Sequence, residues 1–168
     1  MSAIYRITPR AAEDLKGIGA IPQKRTREVV MGKVKQIAKA TNLADLILWE
    51  NHHIDENKVR ALEIEFLVDT GAALICLPPR LIHALGLRKT KSKQALTADG
   101  PKERGIYSSI KLELFDRDAI LEVMEVPENV PPLLGYIALE SLDLVVNPTG
   151  EALTGNPDHG GKFMVDLL

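Results

Sequence analysis

From residue 33 onward the apolar positions fall in short runs broken by Gly, Pro, Asn and Asp. KVKQIAKAT and LADLILWE read as strands separated by Thr41-Asn42, and NHHIDENK as a polar connection. ALEIEFLV alternates Leu62, Ile64 and Phe66 against Glu63 and Glu65, the period of a half-buried strand. Its end, Phe66-Leu67-Val68, is apolar on both faces and should enter the core just before Asp69. LPPRLIHALGL reads as a short helix, with proline near its start, Leu81 and Leu85 one turn apart, and Gly86 to end it. SKQALTADGPKERGIYSSIKLEL reads as a hairpin turned at Asp99-Gly100. ILEVMEV is a further strand and PENVPP a proline-rich loop. PLLGYIALESLDLVV reads as loop, short glycine-initiated helix and strand, and Asn147-Pro148-Thr149-Gly150 turns into a last strand, EALTG. Short strands with one or two short helices predict a mainly-β domain closed as a small barrel.

The ends of the chain differ from this domain. Residues 1–31 carry Arg6, Arg10, Lys16, Lys24, Arg25 and Arg27 against Glu13, Asp14 and Glu28, a basic stretch in a chain of net charge −2. IYRIT reads as a strand, and PRAAEDLKGIG as a helix with Ala11, Leu15 and Ile18 on one face. This division gives an N-terminal extension (1–31), a principal domain (32–156) and a C-terminal tail (157–168) with a mildly apolar tip. Met31 is an alternative natural start.

Composition narrows the function classes. A chain of 168 residues can bury a sizeable core, and with 4% aromatics that core rests on Leu, Ile, Val and Ala. The small net charge gives no basic field for nucleic acid or an anionic membrane. No apolar run approaches membrane-spanning length, and the N-terminus lacks a signal peptide's apolar core. The single cysteine, Cys76, excludes an intramolecular disulfide and a multi-cysteine zinc site, which fits a cytoplasmic protein. Its apolar setting, LICLP, reads as a buried, inert thiol. His52 and His53, adjacent in a polar stretch, read as solvated, and no metal or other cofactor is implied. Lys89, Lys91 and Lys93 read as a solvated face, with contact to acidic partners as the alternative.

The residue that carries chemistry is Asp69. It lies between two apolar runs in FLVDTGAAL, where a lone carboxylate is costly unless paired, hydrogen-bonded or neutralised. The order of strand, Asp69-Thr70-Gly71-Ala72, hairpin and Leu133-Leu134-Gly135 resembles the single-lobed, bacterial type of retropepsin-like aspartic protease. The resemblance spans about residues 33–156. It implies a closed acid-protease barrel with Asp69, Thr70 and Gly71 as catalytic elements. It also implies Ala72, Ala98, Asp99, Gly100, Leu134 and Gly135 as substrate-binding elements, the hairpin tip acting as a flap. Asp-Thr-Gly occurs once in the chain, so an aspartate pair requires a homodimer acting on a peptide or protein substrate. The other reading is a non-catalytic peptide-binding or dimerisation module on the same fold. Residues 1–19 also resemble the opening strand and helix of ParE/RelE toxins, although the further strands and basic residues of those toxins do not follow.

Overall fold

The alternation at 61–68 produces β2 (Ala61–Val68), with Ile64 and Phe66 turned into the core and Glu63 and Glu65 outward. β1 (Lys35–Asn42) runs antiparallel to it, from Lys35↔Leu67 to Thr41↔Ala61. In the computed structural model the described residues are 34–97, 99–147 and 149–165. The strand and helix expected within residues 1–31, and with them the toxin-like resemblance, lie outside these residues. So do Ala98, Pro148 and 166–168.

LADLILWE departs from expectation. It forms a helix, α1 (Leu43–Glu50), not a strand. The cause is the residue before it. The Asn42 side-chain oxygen accepts from Ala44 N at 2.9 Å and Asp45 N at 3.2 Å, capping the first turn. The Asn42 amide meanwhile donates to the Leu85 carbonyl at 2.8 Å, which fixes the cap against the body of the fold. Leucine and alanine then propagate the helix well. Asp45, itself buried, accepts from Arg60 Nε at 2.6 Å, Nη2 at 2.8 Å and backbone N at 3.1 Å. Gly86 has a left-handed φ of 61°, which favours glycine at this position.

The remaining elements follow the predicted order. They are β3 (Ile75–Leu77), α2 (Pro79–Ala84), β4 (Lys89–Thr97), β5 (Gly100–Leu114), β6 (Arg117–Glu125), β7 (Leu133–Leu134), α3 (Tyr136–Ser141), β8 (Leu144–Asn147) and β9 (Ala152–Gly155). Three α-helices stand among the described residues, one more than the one or two expected, the addition being the Asn42-capped α1. Seven strands form one sheet in the order β1-β2-β7-β3-β6-β5-β4, and β1 pairs additionally with β5 from Lys39↔Glu113 to Asn42↔Ile110. β8 and β9 form a separate two-stranded sheet. Phe66, Ile75, Leu77, Leu85, Ile110, Leu112, Val123, Leu134 and Leu142 are fully buried, so the core is aliphatic, as the composition required.

The tail docks through a residue that the sequence did not single out. Arg117, buried in β6, donates to the carbonyls of Leu142 at 2.8 Å and Gly161 at 2.6 Å, and to that of Asp143. Its guanidinium lies 5.6 Å from the centroid of the Phe163 ring. Asp143 accepts from Met164 N at 3.1 Å and lies 2.8 Å from His159 Nδ1. That histidine holds the Asp143 carboxyl below the usual range.

Candidate active site

β2 delivers Asp69 to the end of a parallel strand pair. Leu67 and Val68 register against Leu133 and Leu134 of β7, and the Asp69 backbone N–H continues the ladder by donating to the Leu134 carbonyl at 3.1 Å. The chain then turns on itself. Ala72 N donates to the Asp69 carbonyl at 3.1 Å, and Gly71 N donates to Asp69 Oδ1 at 2.9 Å. A Cβ on Gly71 would stand 3.1 Å from that oxygen, so glycine leaves room for the aspartate side chain. Asp69 and Thr70 are half-buried and Gly71 is exposed. The carboxylate therefore sits at a surface within an apolar frame, which is how the sequence can place an acid between two apolar runs.

The second half of the frame comes from far along the chain. The first N–H groups of α3 would be unsatisfied in an isolated helix. Here Tyr136 N donates to the Ala72 carbonyl at 2.9 Å and Ile137 N to the Ala73 carbonyl at 3.2 Å. Gly135 precedes them with an ordinary φ of −78°. A Cβ there would lie 2.4 Å from the Leu74 carbonyl oxygen and 2.7 Å from that of Ala72, so close approach is the reason for this glycine. Leu134 is fully buried; its side chain faces the core while its carbonyl holds the Asp69 N–H.

Cys76 lies in β3, beside β7 at Cys76↔Leu133 and beside β6 at Cys76↔Met124. Burial pushes its thiol up to about 11, and the charge of Asp69 adds to the rise. The inert thiol expected from LICLP is present, and it adjoins the carboxylate electrostatically, which spacing along the chain did not show.

The expected flap is the β4–β5 hairpin. Thr97 pairs with Gly100 at its tip, where the Thr97 hydroxyl donates to the Gly100 carbonyl at 2.7 Å. Gly100 has φ 99° and open space around it, and Asp99 is exposed. Nearly all of β4 is exposed, and Leu96 near the tip retains 87% of its accessible surface. The structure thus assembles Asp69, Thr70, Gly71, Ala72, Leu134 and Gly135 into one locality and sets Asp99 and Gly100 on a separate hairpin.

Other polar clusters lie elsewhere. His52, His53 and His83 are exposed, and no group of three or more His, Cys, Asp or Glu suited to a metal ion occurs among the described residues. One cavity of about 340 Å³ is lined by Lys39, Ala61, Leu62 and Glu63. Another of about 370 Å³ is lined by residues of α2, Leu87 and the Tyr107–Glu125 pair. Neither is lined by the Asp69 loop. Among the described residues no helix is long and apolar enough to cross a membrane.

Comparison with known proteins gives one family. A family model described as aspartyl protease matches residues 56–138, which include β2, the Asp69 loop, the hairpin, β7 and the start of α3. No curated protein matches the chain.

Proposed function

We propose, from the aspartyl protease family to which residues 56–138 belong, that this chain is an aspartic endopeptidase whose active site forms across a homodimer. The observation that carries the reading is the Asp69 turn. A half-buried carboxylate is held at the end of β2 by Gly71 N, while Leu134, Tyr136 and Ile137 brace the loop from behind. The β1–β5 pairing supports reading the sheet as a closed acid-protease barrel. The buried, unpaired Cys76 supports a cytoplasmic setting.

Peptide hydrolysis without a bound group requires an activated water and a proton donor. A single Asp69 supplies one of these. A two-fold axis beside the loop would bring its copy within reach, and two carboxylates about 3 Å apart cannot both ionise, so they share one proton. The ionised member then takes a proton from water, and the protonated member donates to the scissile carbonyl. Because the pair titrates as a unit, neither subunit owns a role. Gly71 N, donating to Oδ1, holds the carboxylate plane, and the Thr70 hydroxyl would link the two loops across the dimer. The substrate would lie extended across the dimer, pairing by its backbone beneath the hairpins tipped by Asp99 and Gly100.

The test is cleavage of an unfolded protein by the full chain and by Asp69→Asn. The expected result is cleavage by the dimer, block by a transition-state mimic, and loss of at least about a thousandfold in rate in the variant with an unchanged fold. Equal peptide binding with no cleavage by either protein would show instead a binding module on this fold.

A further inference from the structure

The hairpin presents a cationic face, and strand register fixes which residues share it. In an antiparallel pair, directly opposed residues point to the same side of the sheet, and side chains alternate along each strand. Lys91, Lys93 and Ala95 of β4 oppose Ile106, Arg104 and Lys102 of β5. One face therefore carries Lys91, Lys93, Lys102 and Arg104. The opposite face carries Ser92, Gln94 and Leu96 against Gly105, Glu103 and Pro101. Lys89 is excluded from the row, because a bulge between Lys89 and Lys91 places it opposite Tyr107 instead.

The same register locates this face relative to Asp69. Ile106 opposes Met124 of β6, and Met124 opposes Cys76 of β3. Cys76 in turn opposes Leu133 of β7, and Leu133 opposes Leu67, two residues before Asp69, so the cationic residues lie on the side of the sheet that Cys76 and Leu67 occupy. Lys91 is neutralised by Glu122 at 2.5 Å, but Lys93, Lys102 and the half-buried Arg104 have no ion pair among the described residues. Lys93 directly opposes Arg104, a like-charge pair that weakens a hairpin. In a chain of net charge −2, three unneutralised cations on this side of the hairpin form a local field of opposite sign.

We infer that this face recognises acidic side chains of an extended polypeptide substrate, so that the enzyme selects chains with Glu or Asp beside the cleaved bond. The inference rests on the endopeptidase reading and deepens it. Lys93 and Arg104 act here as specificity residues. Their ammonium and guanidinium groups bind carboxylates of the substrate, and relief of the Lys93–Arg104 repulsion adds to the attraction.

The test uses the full chain and three peptides that share one apolar core and carry two Glu, two Gln or two Lys beside it. The expected result is a kcat/KM about tenfold higher for the Glu peptide than for the Gln peptide, with the Lys peptide lowest. That advantage should shrink in about 0.5 M salt. Lys93→Glu combined with Arg104→Glu should reverse the order. If that variant fails to fold, Lys93→Gln should still narrow the Glu-over-Gln ratio. Equal cleavage of the Glu and Gln peptides, or an order unchanged in the variants, would overturn the inference.

Binding of the labelled peptides to Asp69→Asn, followed by fluorescence anisotropy, separates this inference from the parent reading. Charge-selective binding without cleavage by wild type would sink the endopeptidase and leave the acidic-peptide surface standing. Cleavage without charge selection would do the reverse. Tighter binding of an oligothymidylate of equal charge would overturn the choice of a polypeptide.

Discussion

Gly135 and Leu74 approach so closely that a single methyl on the former would lie 2.4 Å from the carbonyl oxygen of the latter. The contact presses the start of α3 onto the loop that follows Asp69, where Tyr136 and Ile137 donate to the Ala72 and Ala73 carbonyls. Gly135→Ala should force these backbones apart at a cost of about 1–3 kcal/mol, the range for overpacking. Denaturant unfolding would measure the loss. The proposed peptidase activity should fall as well, since the displaced loop carries Asp69. An alanine variant as stable and active as wild type would show that the loop yields freely.

Subunit mixing tests the proposed sharing of one site by two chains. When wild type and Asp69→Asn are mixed equally and allowed to exchange, random pairing leaves about a quarter of the dimers with two aspartates. Activity per total protein should fall to about a quarter of wild type. A fall to one half would mean that each chain works alone.

Acid sensitivity should originate partly at Asp45. The hydrogen bonds from Arg60 hold its carboxyl below the ordinary value of 3.8. A carboxyl depressed on folding adds stability that is present above its unfolded value and is lost as the pH falls through its folded one. Unfolding free energy should therefore decline below about pH 4. Asp45→Asn should flatten that decline and cost about 1–3 kcal/mol at neutral pH, since the Arg60 partner is half exposed and screened. Urea titrations between about pH 3 and 7 would show both effects.

Cys76 provides a probe of the same locality. With its thiol raised from 9.0 to about 11, the thiolate fraction at pH 8 is about a hundredfold below that of an unperturbed cysteine. Iodoacetamide should therefore label the folded protein at least that much more slowly than the unfolded chain. Asp69→Asn should accelerate labelling modestly, because burial is the larger cause of the rise and the Asp69 charge the smaller. An unchanged rate would mean that the two side chains do not sense each other.

Much of this was legible in the sequence where a local rule decided the outcome. Strict alternation gave β2, proline and glycine bracketed α2, and Asp-Gly marked the hairpin tip. The Asp69 turn could be located because Asp69-Thr70-Gly71 and Leu133-Leu134-Gly135 are both short and contiguous. LADLILWE hides its helical signal, because the Asn42 cap lies outside the apolar run. The role of Arg117 was invisible because its partners, the Leu142, Asp143 and Gly161 carbonyls, are backbone groups without a sequence signature. The lysines at 89, 91 and 93 looked like one face until the bulge moved the first to the other side.

The pairing of β2 with β7 has a practical corollary. These strands lie side by side, yet the hairpin tip falls between them in the chain, exposed at Asp99. Opening the chain at that tip would leave the Asp69 turn on one fragment and its bracing strand and helix on the other. Neither fragment would hold a finished site. Rejoining the two fragments would have to rebuild this pairing before the turn regained its brace.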